Sequence, residues 1–294
     1  MILINFCIKE NHMKTYNVIN YHITNSCNFG CTYCFGKFDK QQDPSPSAAK
    51  EVVDSIAAYF EANGITDGRI NLAGGEPTLY EHLDQLIDHI SSRGILCSIV
   101  TNGSNLTPEY IRSLGGRVYS IGLSIDSLLD STNLAIGRCC RGVVLPLSHY
   151  LKLSEAMHSS GIDLKINTVV SRLNINEDFS KLYRNARPKK IKLFQMHIVE
   201  GINDRAKKHI ITKDEFEAFC NKHSEFSSVI VAEPCGTMEN SYLMINPEGK
   251  FQLNDNGKYK TLGDLRTTSL SDILSSAPLS PEKFDLRYRK EGEI

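Results

Sequence analysis

The 294-residue sequence lacks an excess of either charge: 33 lysines and arginines face 34 aspartates and glutamates, for a formal net charge of −1. That balance excludes a broad polyelectrolyte surface for nucleic acid or anionic membrane, so any gathering of cations has to be local. Long apolar runs are missing too. No stretch approaches the roughly 20 residues that span a bilayer, and the opening MILINFCIKE has neither the cationic start nor the apolar centre of a secretory leader. These absences predict a cytoplasmic chain with no nucleic-acid or membrane partner. An even cysteine count is also lacking: there are nine, a number that a secreted disulfide framework seldom leaves. No internal repeat or low-complexity segment stands out. What is present, 41% hydrophobic and 23% charged residues, is the composition of a globular chain with a sizeable core.

From about residue 18 to 196, short apolar strands alternate with amphipathic helices, the pattern of βαβ units and a parallel sheet. Strands are expected at Val18–Thr24, Arg69–Ala73, Ile95–Thr101, Val118–Ser124, Asp163–Val170 and Lys190–Met196. A helix over 45–62 places Ala49, Val52, Val53, Ile56 and Phe60 on one face, and the next carries Leu79, Leu83, Leu86, Ile87 and Ile90. Asn63-Gly64 and Gly94 punctuate their ends. Six repeats predict an α/β fold, a partial (β/α)6 barrel short of the eight units that close a full one. Residues 1–17 read as a short N-terminal segment, 18–196 as the barrel, and 197–294 as an extension covering its mouth. That extension is expected to hold a loop at Gly201–Asp204, a capped helix at Thr212–His223 and a hairpin at Tyr242–Leu253 turning on Asn246-Pro247-Glu248-Gly249.

Successive strand side chains alternate faces, so Asn20, His22 and Thr24 share one side, as do Arg69, Asn71 and Ala73; Gly122 and Ser124; Lys165 and Asn167; Lys190 and Lys192. Ile70, Leu72, Ile121, Leu123, Ile166, Ile191 and Leu193 take the other side, toward the helices. One polar residue in a strand marks an edge. Five strands sharing the feature, where covered parallel strands usually run hydrophobic throughout, predict a polar, ligand-holding lumen.

Three of the cysteines crowd into Cys27-Asn28-Phe29-Gly30-Cys31-Thr32-Tyr33-Cys34, a C-x3-C-x2-C spacing directly after the first strand. Three thiolates without a nearby fourth ligand suit zinc poorly, since structural zinc sites are closed by four. They suit an iron–sulfur cluster with one iron left open, and Cys27, Cys31 and Cys34 are its candidate ligands. Cys7, Cys97, Cys139, Cys140, Cys220 and Cys235 are read as bystanders.

The cysteine loop, the aromatic Tyr33 before its last cysteine, and Gly74-Gly75-Glu76-Pro77 at the end of the second strand resemble radical S-adenosylmethionine (SAM) enzymes. The resemblance implies a 4Fe–4S cluster whose open iron chelates the amine and carboxylate of SAM. The Gly-Gly pair would let backbone approach the methionine amine, and Glu76 would offer it a carboxylate. By the same likeness Tyr33, Phe35, Gly74, Gly75, Glu76, Pro77, Asn102, Ser124 and Arg138 are candidate cofactor contacts, although Thr101-Asn102-Gly103 and Ser124-Ile125-Asp126 also suit ordinary turns.

The likeness sharpens to the viperin-like family. It is carried by Asn20-Tyr21-His22, the cysteine loop through Phe35, Ile136-Gly137-Arg138, Lys165-Ile166-Asn167, Asn174 near Glu177-Asp178, Phe194-Gln195, Glu200-Gly201 and Ser241-Tyr242-Leu243. It implies conversion of a ribonucleoside triphosphate to its 3′-deoxy-3′,4′-didehydro form, a polymerase chain terminator, with an external reductase, flavodoxin or ferredoxin supplying electrons. The 4′ hydrogen would be abstracted, the 3′ hydroxyl lost as water, and Tyr242 would serve as catalytic donor of the completing hydrogen or proton. Asn20, Arg69, Ala73, Arg138, Lys165, Asn167, Lys190, Lys192 and Tyr242 are the candidate substrate contacts. Their chemistry agrees, since burying about four negative charges needs several cations aimed at one point.

Departures are equally specific. The family often has lysine where Arg69 stands and serine where Ala73 stands, and the animal members' amphipathic anchor has no counterpart before residue 18. Asn254-Asp255-Asn256-Gly257 replaces a more basic stretch with a cysteine, which leaves CTP, UTP and GTP open. Two rival readings are a radical SAM enzyme acting on a peptide or other small molecule, and a zinc-binding nucleic-acid module. Against the first stands the scarcity of later cysteines for auxiliary clusters, with only Cys220 and Cys235 after residue 140; against the second, the neutral charge and the barrel pattern.

Overall fold

A computed structural model describes residues 15–36 and 42–288; Cys7 and most of the N-terminal segment lie outside the described residues. Among the described residues no helix is long and apolar enough to cross a membrane. The expected alternation forms as β1 (Val18–His22), α1 (Pro46–Ala62), β2 (Arg69–Ala73), α2 (Leu83–Ser92), β3 (Leu96–Thr101), α3 (Pro108–Ser113), β4 (Ser120–Ser124), α4 (Asp130–Ile136), α5 (Leu147–Ser159), β5 (Asp163–Val170), α6 (Ser180–Ala186) and β6 (Lys190–Gln195). Helix α1 starts where the Ser45 side chain accepts the Ala48 N–H at 3.3 Å and Pro46 occupies the first turn, and it buries Ala49, Val52, Val53, Ile56 and Phe60. Helix α2 buries Leu83, Leu86, Ile87 and Ile90. Leu79, expected on its buried face, instead ends a separate 3-10 turn capped by Glu76 and is exposed.

The alternation does not stop at residue 196. Helix α7 (Lys213–Lys222), opened by a Thr212/Glu215 capping box, leads into β7 (Ile230–Glu233), which pairs parallel with β6 in the register Phe194↔Glu233. Among the described residues the barrel strands β1–β7 are therefore seven, one more than expected. A four-residue strand preceded by charged helix and loop is too short to show a period. The remaining chain forms β8 (Met244–Ile245), β9 (Lys250–Asp255), β10 (Lys258–Asp264), α8 (Leu270–Ser276) and α9 (Pro281–Tyr288). Strands β8 and β9 make the expected hairpin, with β8 parallel to β1, so one sheet runs β10-β9-β8-β1-β2-β3-β4-β5-β6-β7. The extension thus adds strands to both edges of the barrel sheet.

Alternation within the strands is clearest in β5, where Leu164, Ile166, Thr168 and Val170 are buried and Asp163, Lys165, Asn167 and Val169 only partly so. Ile70, Leu72, Ile121, Leu123, Ile166, Ile191 and Leu193 join one core between sheet and helices, each contributing about 1.5–3 kcal/mol by burial. A second, smaller core of Phe29, Cys31, Tyr33, Ile136, Met196 and Ala206 lies under the cysteine loop.

Candidate active site

The lumen of the partial barrel holds a cavity of about 260 Å³ that Cys27, Cys31 and Cys34 line together with the inward strand residues. The cysteine loop leaves the C-terminal end of β1, the end where barrels of this kind carry their chemistry. Neighbouring backbone holds it: the Gly30 N–H donates to the Gly137 carbonyl at 3.0 Å and the Thr32 N–H to the Ile136 carbonyl at 2.8 Å. A side chain at Gly137 would place its Cβ 2.5 Å from the Gly30 oxygen, so this approach needs glycine. The Asn203 amide donates to the Tyr33 carbonyl at 3.0 Å, and the Phe29 N–H points at Cys27 Sγ at 3.4 Å.

Burial pushes the Cys31 thiol up to about 12, against the pull of Arg138, and raises Cys27 as well. Both sulfurs are therefore protonated unless a metal centre takes them as thiolates. Among the described residues, no three Cys, His, Asp or Glu side chains are gathered as ligands of a single ion. Three cysteines lining one cavity suit a cluster with one iron left open, whereas structural zinc sites are closed by four protein ligands. Cys97, Cys139, Cys140, Cys220 and Cys235 are free thiols elsewhere.

Gly74 and Gly75 line the cavity, but their immediate constraint comes from the cysteine loop. A Cβ on Gly75 would lie 2.1 Å from the Ser26 oxygen, and one on Gly74, at φ 138°, would lie 2.4 Å from the Thr24 oxygen. Glu76 and Pro77, expected against the cofactor, do not line the cavity. The buried Glu76 carboxylate instead accepts from Thr101 Oγ1 (2.6 Å), Thr78 Oγ1 (2.7 Å), and the Asn102 (2.7 Å) and Thr78 (3.2 Å) N–H groups. It braces the ends of β2 and β3 against each other. Asn102, which does line the cavity, donates to Asn28 Oδ1 at 2.9 Å beside Cys27.

Arg138 was expected to close over phosphates as well as cofactor. The structure sets its guanidinium at the cysteine end, ion-paired with the buried Asp126 and donating to the Ser124 carbonyl at 3.2 Å. Asp126 in turn accepts the Val169 N–H at 2.7 Å. The pair is locally neutral, which suits holding a zwitterion better than drawing in a polyanion.

Toward the other end of the lumen the character is cationic. Arg69, Lys165 and Lys192 line it, as expected from their shared parity, and Arg287 of α9 joins them. The Arg69 and Lys165 cations lie 5.9 and 6.0 Å from the Tyr119 ring centroid. Lys190 is buried on the same strand as Lys192 but does not reach the cavity wall. Asn20 and Asn167 both line it. Asn20 is heavily engaged: its amide donates to the Leu243 carbonyl and the Tyr288 hydroxyl, each at 3.1 Å, while its oxygen accepts from Asn71 at 3.0 Å. Ala73 lines the wall without a polar group.

Between the two ends, the Tyr242 hydroxyl meets His22 Nε2 at 3.0 Å, and the Phe35 ring sits edge-on to Tyr242. Burial lowers His22 to about 4 and, with Tyr288 nearby, raises the Tyr242 phenol far above its ordinary value. At neutral pH both are uncharged and joined by one hydrogen bond, whose donor is set by the His22 tautomer. His22, Asn71 and Asp126 are given no individual role by the sequence, and Arg287 and Tyr288 do not enter its reading at all. Strand parity singles out the first two and the Ser124-Ile125-Asp126 turn the third; nothing marks the last two, because an arginine in the last turn of a polar helix reads as a dipole cap.

A radical SAM superfamily model matches residues 21–210. The S-adenosylmethionine-dependent nucleotide dehydratase of Psychrobacter lutiphocae is 32% identical, covering 96% of this chain and 98% of the relative. That of Flammeovirga pacifica is 34% identical, covering 82% and 83%. Among solved structures, SuiB of Streptococcus suis bound to precursor peptide SuiA superposes with a TM-score of 0.71 at 16% identity, over 90% of this chain and 65% of that one. Native anSMEcpe with bound AdoMet and a peptide gives 0.70 at 17% identity, over 88% and 80%. At such low identity these two speak for the fold alone. With the cysteine loop at the barrel mouth and the curated relatives aligned over nearly their whole length, the chain belongs to the radical SAM superfamily and, within it, to the S-adenosylmethionine-dependent nucleotide dehydratases, the prokaryotic viperins.

Proposed function

We propose that this enzyme dehydrates a ribonucleoside triphosphate, CTP, UTP or GTP, to its 3′-deoxy-3′,4′-didehydro analogue, a chain terminator serving antiviral defence in the cytoplasm. Its cofactors are SAM and a 4Fe–4S cluster. When bound, they supply a one-electron cleavage that yields a carbon radical able to take a ribose hydrogen. Electrons come from an external reductase, flavodoxin or ferredoxin.

The observation that carries the reading is one cavity lined both by the three-cysteine loop and by four cations, Arg69 and Lys165 beside Tyr119 and Lys192 and Arg287 beside Tyr288. Cations of that number answer a triphosphate of about four negative charges, where an uncharged peptide segment would call for none. Anchoring the phosphates at these cations fixes the ribose between them and the cysteine loop. Such positioning is worth up to about 7–11 kcal/mol of barrier when the geometry is right. Asn20 and Asn71 hold the wall beside Tyr288, and Asn167 offers an amide to the lumen. The Tyr242 hydroxyl, hydrogen-bonded to His22, offers the one proton that the 3′ hydroxyl needs to leave as water, while the external donor's electron quenches the sugar.

The test is to incubate anaerobically reconstituted protein with SAM, a reductant and each nucleotide in turn. Formation of 5′-deoxyadenosine with a product lighter by one water is the expected result. Failure of both with every ribonucleoside triphosphate overturns the reading, and zinc without iron in the purified protein would do so sooner.

A further inference from the structure

Glu233 has the wrong sign for its surroundings. It comes from β7, is buried, and stands behind the cationic wall, with Oε1 2.8 Å from Lys192 Nζ and Oε2 2.9 Å from Arg287 Nη1. Burial alone would raise its carboxyl pKa; Arg287 and then Lys192 outweigh burial and lower it, so the group is an anion. Both cations line the cavity, and Glu233 does not. The Lys192 ammonium also sits 4.8 Å from the Tyr288 ring centroid, and the Arg287 guanidinium 5.1 Å from that of Tyr242.

Two cations buried side by side repel each other, and leaving either without a counter-charge is strongly destabilising. A carboxylate behind them removes that cost and fixes both heads toward the lumen. The same carboxylate weakens the pull of those cations on an anion arriving from the front, since all of them interact in a medium of low dielectric. This matters because dehydration of the sugar leaves the triphosphate untouched. Product therefore keeps every charge that held the substrate, and attraction felt equally by both gains nothing for the chemical step while it delays departure.

We propose that Glu233 is an internal counter-anion for the phosphate site: it holds Lys192 and Arg287 in place while the cavity is empty and competes for them when a triphosphate is bound, so that product is released. It is a positioning residue that acts through the two cations. The inference rests on the nucleoside triphosphate reading above.

The experiment compares wild type with Glu233→Gln, which keeps the shape and loses the charge. Calorimetric titration with inorganic tripolyphosphate, at low and high salt, reads the phosphate site without any turnover. Glu233→Gln is expected to bind tripolyphosphate about tenfold tighter, equal to about 1.4 kcal/mol, with a steeper salt dependence. In turnover its kcat and KM should fall together. A residue serving only to hold the fold would weaken binding when lost, so equal or weaker affinity in a variant that folds, even one that melts below wild type, overturns the inference. Should that variant fail to fold, Glu233→Asp keeps the charge but withdraws it by one methylene. A gain of a few-fold in affinity is then expected, and no gain overturns the inference. Wild-type protein that binds neither tripolyphosphate nor any nucleoside triphosphate overturns the nucleotide reading and the inference with it; wild-type binding without a gain in the variants overturns the inference alone.

Discussion

Replacing Gly75 by alanine puts one methyl group where the cysteine loop passes closest to the β2 turn. The new Cβ would lie 2.1 Å from the Ser26 carbonyl oxygen and 2.5 Å from its carbon, both backbone atoms that no rotamer change can move aside. Reaching ordinary van der Waals separation, which begins at 3.4 Å, requires a displacement of at least about 1.3 Å, which as overpacking costs about 1–3 kcal/mol. That displacement also strains the hydrogen bonds from the Gly75 N–H to Thr24 and from the Glu76 N–H to Ser26, each 2.7 Å. Ser26 directly precedes Cys27, so the first sulfur moves with it, while metal–ligand distances tolerate only about 0.2 Å. Gly75→Ala should therefore fold, melt several degrees lower, and hold less than half the wild-type iron and acid-labile sulfide after anaerobic reconstitution. Gly64→Ala is the control: its φ is 64° but nothing lies within 4 Å of the added methyl, so it loses about 1–2 kcal/mol to backbone strain and keeps its iron. Wild-type iron in Gly75→Ala would show that the glycine does not set the loop's position.

Other expectations follow from the same geometry. Asp126→Ala leaves the buried Arg138 without its counter-ion and should lose about 3–5 kcal/mol in urea unfolding; a loss under about 1 kcal/mol would contradict the pairing. Lys165→Ala should lower kcat/KM for the accepted triphosphate by about 10- to 100-fold, while the exposed, opposite-parity Lys189→Ala leaves it unchanged; equal effects would refute the lumen assignment. Burial lowers His22 from 6.5 to about 4, so between those values the unfolded chain binds a proton that the folded one refuses. Stability is therefore lost as pH falls through that window, by about 3 kcal/mol from this residue. In His22→Phe, melting temperature should drop at neutral pH with the Tyr242 hydrogen bond but decline less on acidification than in wild type; parallel curves would refute this.

The barrel was readable because its strands carry their faces in a strict period of two. Strands β2 and β5 run over the expected Arg69–Ala73 and Asp163–Val170, and Lys165, Asn167 and Lys192 reach the lumen that their parity assigns them. Lys190 shares that parity yet stays behind the wall, since parity gives a side and not a depth. The partner of a charged group was not readable. Glu76 sits in a motif that suggests a ligand contact, but Thr78 and Thr101 capture its carboxylate with their hydroxyls. Arg138, expected at both cofactor and phosphate, lines the cavity but is ion-paired with Asp126 from the turn after β4. Strand β7 was hidden by its brevity, and α9 by a composition, Pro-Glu-Lys-Phe-Asp-Leu-Arg-Tyr, that reads as surface helix while Phe284, Arg287 and Tyr288 are buried.

The hydrogen bonds of Asn20 span 223 positions to Leu243 and 268 to Tyr288. At synthesis rates of about 5–20 residues per second, the first strand waits roughly 13–54 s for its last partner to be made. Its outer edge, which β8 covers 224 positions later and so after about 11–45 s, is meanwhile open to pairing with other chains, a hazard that a nascent-chain chaperone would have to cover. The order of manufacture also acts as a safeguard. The cysteine loop emerges early, but Arg287 and Tyr288 arrive with the final described turn, so a chain terminated before them retains all three cysteines and lacks that part of the wall against which a substrate would be held.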